Sequence, residues 1–306
     1  MQAYLARRLV LLVPTLIGVT LVTFLMLQFA PGDPVAIMLG EFASGERVRQ
    51  LRQELGLDRP LVVQYLKFAE RAIRGDLGTS IRSRRAVAEE ISDRFPSTLS
   101  LTLAAITLAM CVGVPLGVIA ATTKRPTVDS AVMAFALLGL SMPTFWSGLL
   151  LIFLFALRLG WLPITEAAGI RTLILPAVTL AAPAAAVLAR IARSSVLEVL
   201  RHEYIRTARS KGLIERLVIY RHALRNALIP VLTIIGLQFG SLLAGAVIVE
   251  SVFARPGLGR LAVNAILARD FPVVQGIVLV VACMYVFVNL TVDTLYAVLD
   301  PRIRYQ

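Results

Sequence analysis

Charge is what this chain of 306 residues has least of: 16% of its residues are charged against 58% hydrophobic, and its mean hydropathy is +0.79. A soluble domain carries about a quarter charged residues, so the composition excludes one and points to a membrane protein. Cysteine is scarce, and both Cys111 and Cys283 lie inside apolar runs, where a thiol acts as a small hydrophobe. That excludes a disulfide framework. Histidine is equally rare, and His202 and His222 have no ligand set around them, so no metal site is expected. No GxxxxGK[ST] string occurs; the chain has no phosphate cradle, and any ATPase must be a separate chain. The apolar runs also lack the paired Asp, Ser–His and HExxH sets of intramembrane hydrolases. No catalytic residue emerges, and enzyme activity is not expected.

What is present is a series of long apolar runs. Crossing about 30 Å of hydrocarbon takes roughly twenty apolar residues in a helix, because backbone groups facing lipid must bond within their own segment. Segments near 9–30, 97–123, 130–157, 172–192, 227–249 and 271–292 qualify. The expected fold is therefore all-α, a polytopic membrane protein with six transmembrane helices. The first run follows Arg7 and Arg8 as in a signal peptide, yet leads to PGDP rather than a cleavage site, and reads as a retained span. The fourth is uncharged only from Thr172 to Ala189, so Arg190 and Arg193 are expected to mark its end by snorkelling.

The net charge of +12 suggests nucleic acid at first sight. The bases fall between lipid-length runs, however, where membrane orientation explains them, and no nucleic-acid partner is expected. With the N-terminus inside, fifteen Lys and Arg fall on the inner side, against five in the short outer loops. The other eleven belong to the long segment between the first two runs, which also holds ten acids; long loops translocate largely regardless of charge. Both termini are expected to be cytoplasmic.

Three regions follow: 1–31, the N-terminus and first span; 32–96, a small helical extracytoplasmic segment; and 97–306, a core of five spans carrying a cytoplasmic loop at 194–226. In the outer segment RVRQLRQEL reads as a short helix. PLVVQYLKFAERAIRG aligns Leu61, Tyr65, Ala69 and Ile73 on one face, with Pro60 suiting a helix start and Gly75 a stop. That stripe reads as packing on the membrane region rather than a ligand site.

Polar groups at membrane depth are few. Gln238 is the best buried candidate, bonding either a neighbouring helix or a passing substrate, with the first favoured. Glu250 ends the fifth run before SVFARPGLGRL, where it attracts a substrate ammonium or, more commonly, pairs with Arg255 or Arg260. Pro143 and Trp146 lie in the third run, and Gly236, Gly240 and Ala244 make a smooth ridge on the fifth; these are candidates for helix packing or for lining a path.

Base is concentrated between the fourth and fifth runs. RSSVLEVLRHEYIRTARSKGL is expected to continue the fourth helix into water and break at Gly212, where a turn takes positive φ. LIERLVIYRHALRNALIP restarts as a second helix with Leu213, Leu217, Tyr220 and Leu224 on one face, before Pro230 opens the fifth span. Its bases either anchor anionic lipid or border a protein partner.

Arg206, Thr207, Ala208 and Gly212 resemble the EAA loop of bacterial ATP-binding-cassette importer permeases, whose short pattern is EAA, three residues, then Gly. Arg206 stands where the Glu would be, Thr207 replaces the first Ala, and the closing Leu-Pro appears later as Ile229-Pro230. YIRTARSKG followed by RHALRNALIPV resembles the branch that serves dipeptides, oligopeptides, glutathione and nickel. PGDP, LGLDRPLVVQYL, GDLG, SMPTFWSGLLLI, VFARPGLGRL, RDFPVVQGIVL and DPRIRY agree with that branch along nearly the whole chain.

The resemblance implies a type I importer fold in the bacterial cytoplasmic membrane. It implies four further chains: a second similar permease, two cytoplasmic ATPases that bind ATP and Mg, and an outer solute-binding protein. Glu203, Arg206, Thr207, Ala208, Lys211 and Gly212 would form the loop that seats in the ATPase, with the small Ala208 allowing close approach. The cargo implied is a small peptide or glutathione; a nickel chelate or another small solute, or less readily a stand-alone carrier, are the alternatives.

Overall fold

The computed structural model describes residues 2–28, 45–54, 58–164 and 169–299, and every element among them is helical apart from one isolated bridge between Thr79 and Ala86. PGDP and DPRIRY lie outside the described residues. The first three helices are α1 (Gln2–Gln28), α2 (Gly45–Glu54) and α3 (Leu61–Ile73). They are followed by α4 (Val87–Thr122), α5 (Pro126–Ser141), α6 (Thr144–Leu151) and α7 (Arg171–Val199). After the short α8 (Glu203–Ser210) come α9 (Leu224–Val252), α10 (Leu258–Leu267) and α11 (Phe271–Leu299).

Among the described residues four helical stretches are long and apolar enough to cross a membrane: Val87–Thr122, Arg171–Val199, Glu215–Val252 and Phe271–Val292. The expected third span is not one straight helix. It is a pair, α5 and then α6 with its π-turn Ile152–Arg158, bent by 103°. The break itself comes from Pro143, whose ring disfavours helical backbone at the residue before it: Met142 is extended (φ −81°, ψ 126°), so α5 stops at Ser141. Pro143 then precedes α6, where its missing N–H costs nothing. Helix α1 adds a shorter apolar stretch, Val13–Leu25.

Two compact units form, one of Ser97–Arg255 with the chain from Phe287 onward, the other of Gln2–Pro96 with Pro256–Val286. In lipid the hydrophobic effect does not drive helices together, so the first unit relies on close packing of small residues. Helix α7 supplies Ala177, Ala181, Ala184, Ala189 and Ala192, all buried. Opposite it on α4, a Cβ on Gly113 would fall 2.5 Å from the Ala185 carbonyl oxygen, and one on Gly117 2.7 Å from the Ala192 Cβ. Near the end of α7, the Arg193 guanidinium binds both carboxylate oxygens of Asp129 on α5, each at 2.5 Å.

In the second unit α3 begins after Pro60 (φ −53°) and ends before Gly75 (φ +78°), as its sequence requires. Its packed face differs from the expected stripe. Leu61 and Ile73 are exposed, whereas Phe68 stacks on Phe24 of α1 and Tyr65 meets the same ring edge-on, and Tyr65 shares a 3.0 Å hydrogen bond with Thr20. A separate core joins Val87, Ile91, Leu258, Leu261, Val273 and Ile277.

Candidate functional site

The basic loop folds around Gly212. Helix α7 ends at Val199, with three residues between it and α8 and earlier than expected, because His202 is extended (ψ 147°) and Glu203 places an acid in the first turn of a new helix. Gly212 does adopt positive φ (+77°), and a Cβ there would meet nothing within 4 Å. Across this turn Arg209 donates two bonds to Glu215, at 3.1 and 2.6 Å, which hold the Arg209 guanidinium above its ordinary pKa. The turn is therefore strapped from both sides.

The chain then runs through Glu215–Leu217 and a π-turn, Val218–Ala223, directly into α9, so Pro230 lies inside a helix rather than opening a span. Buried Ala227 and Val231 on either side hold the helix through the bond that Pro230 cannot make. The π-turn also moves the buried face. Val218, Ala223 and Ala227 point inward, at steps of five and then four, while Tyr220 is 62% exposed. Ile214, Arg216, Leu217 and Tyr220 line an open pocket of about 270 Å³ beside the turn.

Helix α8 has two faces. Ile205 and Ala208 are buried in a core with Val118 and Ala121 of α4, Val196 and Val199 of α7, and Val218, Ala223 and Ala227. Within this chain Ala208 therefore packs on the interior side of α8. The exposed face carries Glu203, Arg206, Thr207, Ser210 and Lys211. Thr207 and Ser210 donate to the carbonyls of Glu203 and Arg206, each at 3.0 Å, and Arg206 pairs with Glu203 at 2.9 Å. So exposed a pair stabilises by at most about 1 kcal/mol. Asn226 donates to the Tyr204 hydroxyl at 2.7 Å, which ties α8 to the start of α9.

The other candidates lie outside this loop, on α6 with its preceding proline and on α9. Pro143 and Trp146 flank the α5–α6 break, and both are exposed. On α9, a Cβ on Gly236 would fall 3.0 Å from Val292 of α11, so this glycine serves packing, while Ala244 of the expected ridge is exposed. Gly240 and Gln238 are half-buried, and the Gln238 amide makes no hydrogen bond among the described residues. Twelve residues along α9, about 18 Å by helical rise, Glu250 is fully buried. It accepts a 2.6 Å hydrogen bond from Thr98 on α4. Its carboxylate draws on nearby Arg255, but burial of that guanidinium outweighs the attraction and lowers the Arg255 pKa. Arg255 donates to Ser97 at 3.2 Å. The hydrogen-bond partner of Glu250 is thus Thr98, which the sequence does not single out.

A second polar centre escaped sequence reasoning altogether. Asp270, 3% exposed, accepts bonds from the Ser80 hydroxyl (2.5 Å) and from the backbone N–H groups of Ile81 and Arg82 (both 3.1 Å). The only signal for it was an acid beside Phe-Pro in RDFPVVQG.

Residues 113–305 match the family described as binding-protein-dependent transport system inner membrane component, and residues 1–102 match the N-terminal part of such membrane components. The chain belongs to this family. This permease is 45% identical to the di/tripeptide transport system permease protein of Pseudomonas aeruginosa (strain UCBPP-PA14), with all of both chains covered. It is also 45% identical, again over the whole of both, to the glutathione transport system permease protein of Escherichia coli (strain K12). Its fold is similar to a chain of the inward-facing MetNI methionine ABC transporter, with 16% identity and a TM-score of 0.56 over 69% of this chain and 96% of the other. An amino acid ABC transporter solved with histidines gives 20% identity and a TM-score of 0.52, covering 70% and 94%. The permease is a multi-pass membrane protein whose role is transport, not catalysis.

Proposed function

We propose that the permease carries small peptides, di- or tripeptides or glutathione, across the bacterial cytoplasmic membrane as one subunit of an ATP-driven importer. The supporting observation is the 45% identity over full length to permeases named for those two cargoes. In this reading the broken pair α5–α6 counts as one span and α1 as another, giving six with both termini inside. The partners are a second similar permease, two ATPase chains that bind ATP and Mg, and an extracytoplasmic solute-binding protein. Helix α5, which buries no residue and exposes Phe135, Leu137 and Leu138, is covered by lipid or by the second permease.

The exposed face of α8, with Glu203, Arg206, Thr207 and Lys211, and the turn at Gly212 seat in the ATPase. Ala208 acts on the inner side, where with Ile205 it locks α8 to α4, α7 and the root of α9. Because a packed core is stiff, a push on α8 moves three spans together rather than deforming the loop. The test is calorimetry of the partner binding protein with di- and tripeptides, glutathione and nickel chelates, followed by uptake into proteoliposomes. Peptide or glutathione binding with ATP-dependent uptake is expected. Binding of nickel chelates alone would move the assignment to metal import.

A further inference from the structure

We infer that the loop Ser80–Arg85 is a preformed basic hook that docks an acidic surface of the solute-binding protein, with Arg82 and Arg84 as the contact groups and Asp270 as their positioning residue. The inference rests on the importer reading above, which puts this loop on the outer side. The loop is built rather than merely solvated. Its base is closed by the Thr79–Ala86 bridge and by bonds from Ser80 N–H to the Arg85 carbonyl (2.9 Å), Arg84 N–H to the Ser80 carbonyl (3.2 Å) and Val87 N–H to the Gly78 carbonyl (3.0 Å). Its centre is clamped by buried Asp270, which takes the Ser80 hydroxyl and two successive backbone N–H groups. Ser83 adds two ties, its N–H to the Ser80 hydroxyl at 3.0 Å and its own hydroxyl to Glu90.

This clamp leaves its arginines unequal. Arg85 is engaged, at 3.0 Å from Asp93 and 3.7 Å from Glu89. Arg82 and Arg84 are exposed and make no side-chain hydrogen bond or ion pair among the described residues. Arg84 also sits at φ 61°, a left-handed backbone that a non-glycine residue adopts only where its surroundings impose it. Two guanidinium forks held on a rigid loop are suited to carboxylates, which they bind in pairs of parallel bonds, and little loop freedom is lost on docking. Lipid is the weaker occupant. Headgroup attraction needs no fixed geometry, so it gives no reason for a loop clamped this firmly.

The experiment uses the assembled importer in nanodiscs and measures ATP hydrolysis against concentration of the binding protein. The R82E/R84E double variant should raise the half-stimulating concentration about tenfold or more and flatten its dependence on salt. Asp270→Asn keeps both arginines, so it should raise that concentration less and retain the wild-type salt slope. Should the double variant fail to assemble on size-exclusion chromatography, Arg82→Gln and Arg84→Gln singly carry the same comparison. An unchanged half-stimulating concentration overturns the hook alone. A shift confined to discs containing phosphatidylglycerol, absent from phosphatidylcholine discs, assigns the arginines to lipid and also overturns it. Wild-type hydrolysis indifferent to the binding protein overturns the importer reading itself.

Discussion

Gly212 and Glu250 show how differently single residues can be read. At Gly212 the requirement is local: positive φ with open space around the Cα. An alanine there clashes with nothing and bears only the backbone cost, about 1–2 kcal/mol, and a valine more. Gly212→Val should insert and assemble yet lose uptake and binding-protein-stimulated hydrolysis, with Gly212→Ala between it and wild type. Normal uptake by the valine variant would sink the coupling assignment. Glu250 needs partners that lie far off in the chain. Thr98, 152 residues away, looks in the sequence like one more small polar group at the edge of an apolar run. Glu250→Ala leaves the buried Thr98 hydroxyl and the Arg255 charge without their carboxylate, at a cost of about 2–3 kcal/mol. Its melting temperature in detergent should fall clearly below wild type, with Glu250→Gln falling less.

At the scale of elements, the apolar runs were legible because lipid thickness sets a length, and length can be counted. Breaks and faces were not. The stop at Met142 follows from Pro143 but its 103° bend does not, since that depends on what α6 packs against. The face of the segment before α9 was misjudged because a period of 3.6 was assumed through a stretch that takes a π-turn, which exchanged Tyr220 for Val218. Helix contacts were legible only as glycine spacing. On α4 the contact is tight enough to test: Gly113→Leu drives a side chain into the backbone of α7 at Ala185 and should cost about 3 kcal/mol or more. Size-exclusion chromatography should show loss of the monodisperse peak. Gly18→Leu, with nothing within 4 Å of its Cβ, should leave the peak intact.

For the molecule as a whole, sidedness follows from arithmetic on short loops and is open to chemistry. After replacing Cys111 and Cys283, both exposed, a cysteine at Arg74 should react with an impermeant thiol reagent from outside intact cells, and one at Ser210 only after permeabilisation. The reverse pattern would overturn the topology and with it the outer hook. Family membership was legible from short strings scattered over the chain. The mechanical layout was not: Ala208 as an inward anchor, and Asp270 holding a loop 190 residues before it, exist only once the helices pack. The π-turn at Val218–Ala223 has a consequence for insertion and deletion. It holds one residue more than an α-helical turn needs, so removing one there can be absorbed by the backbone as plain α-helix. The step from Val218 to Ala223 would then be four instead of five, so both would still point inward and the helix on either side of the cut would keep its bearing. A permease shortened by one uncharged residue there would keep its spans, its charge and the aim of its basic loop, whereas the same deletion in the plain α-helix of α9 would swing that loop by about 100°.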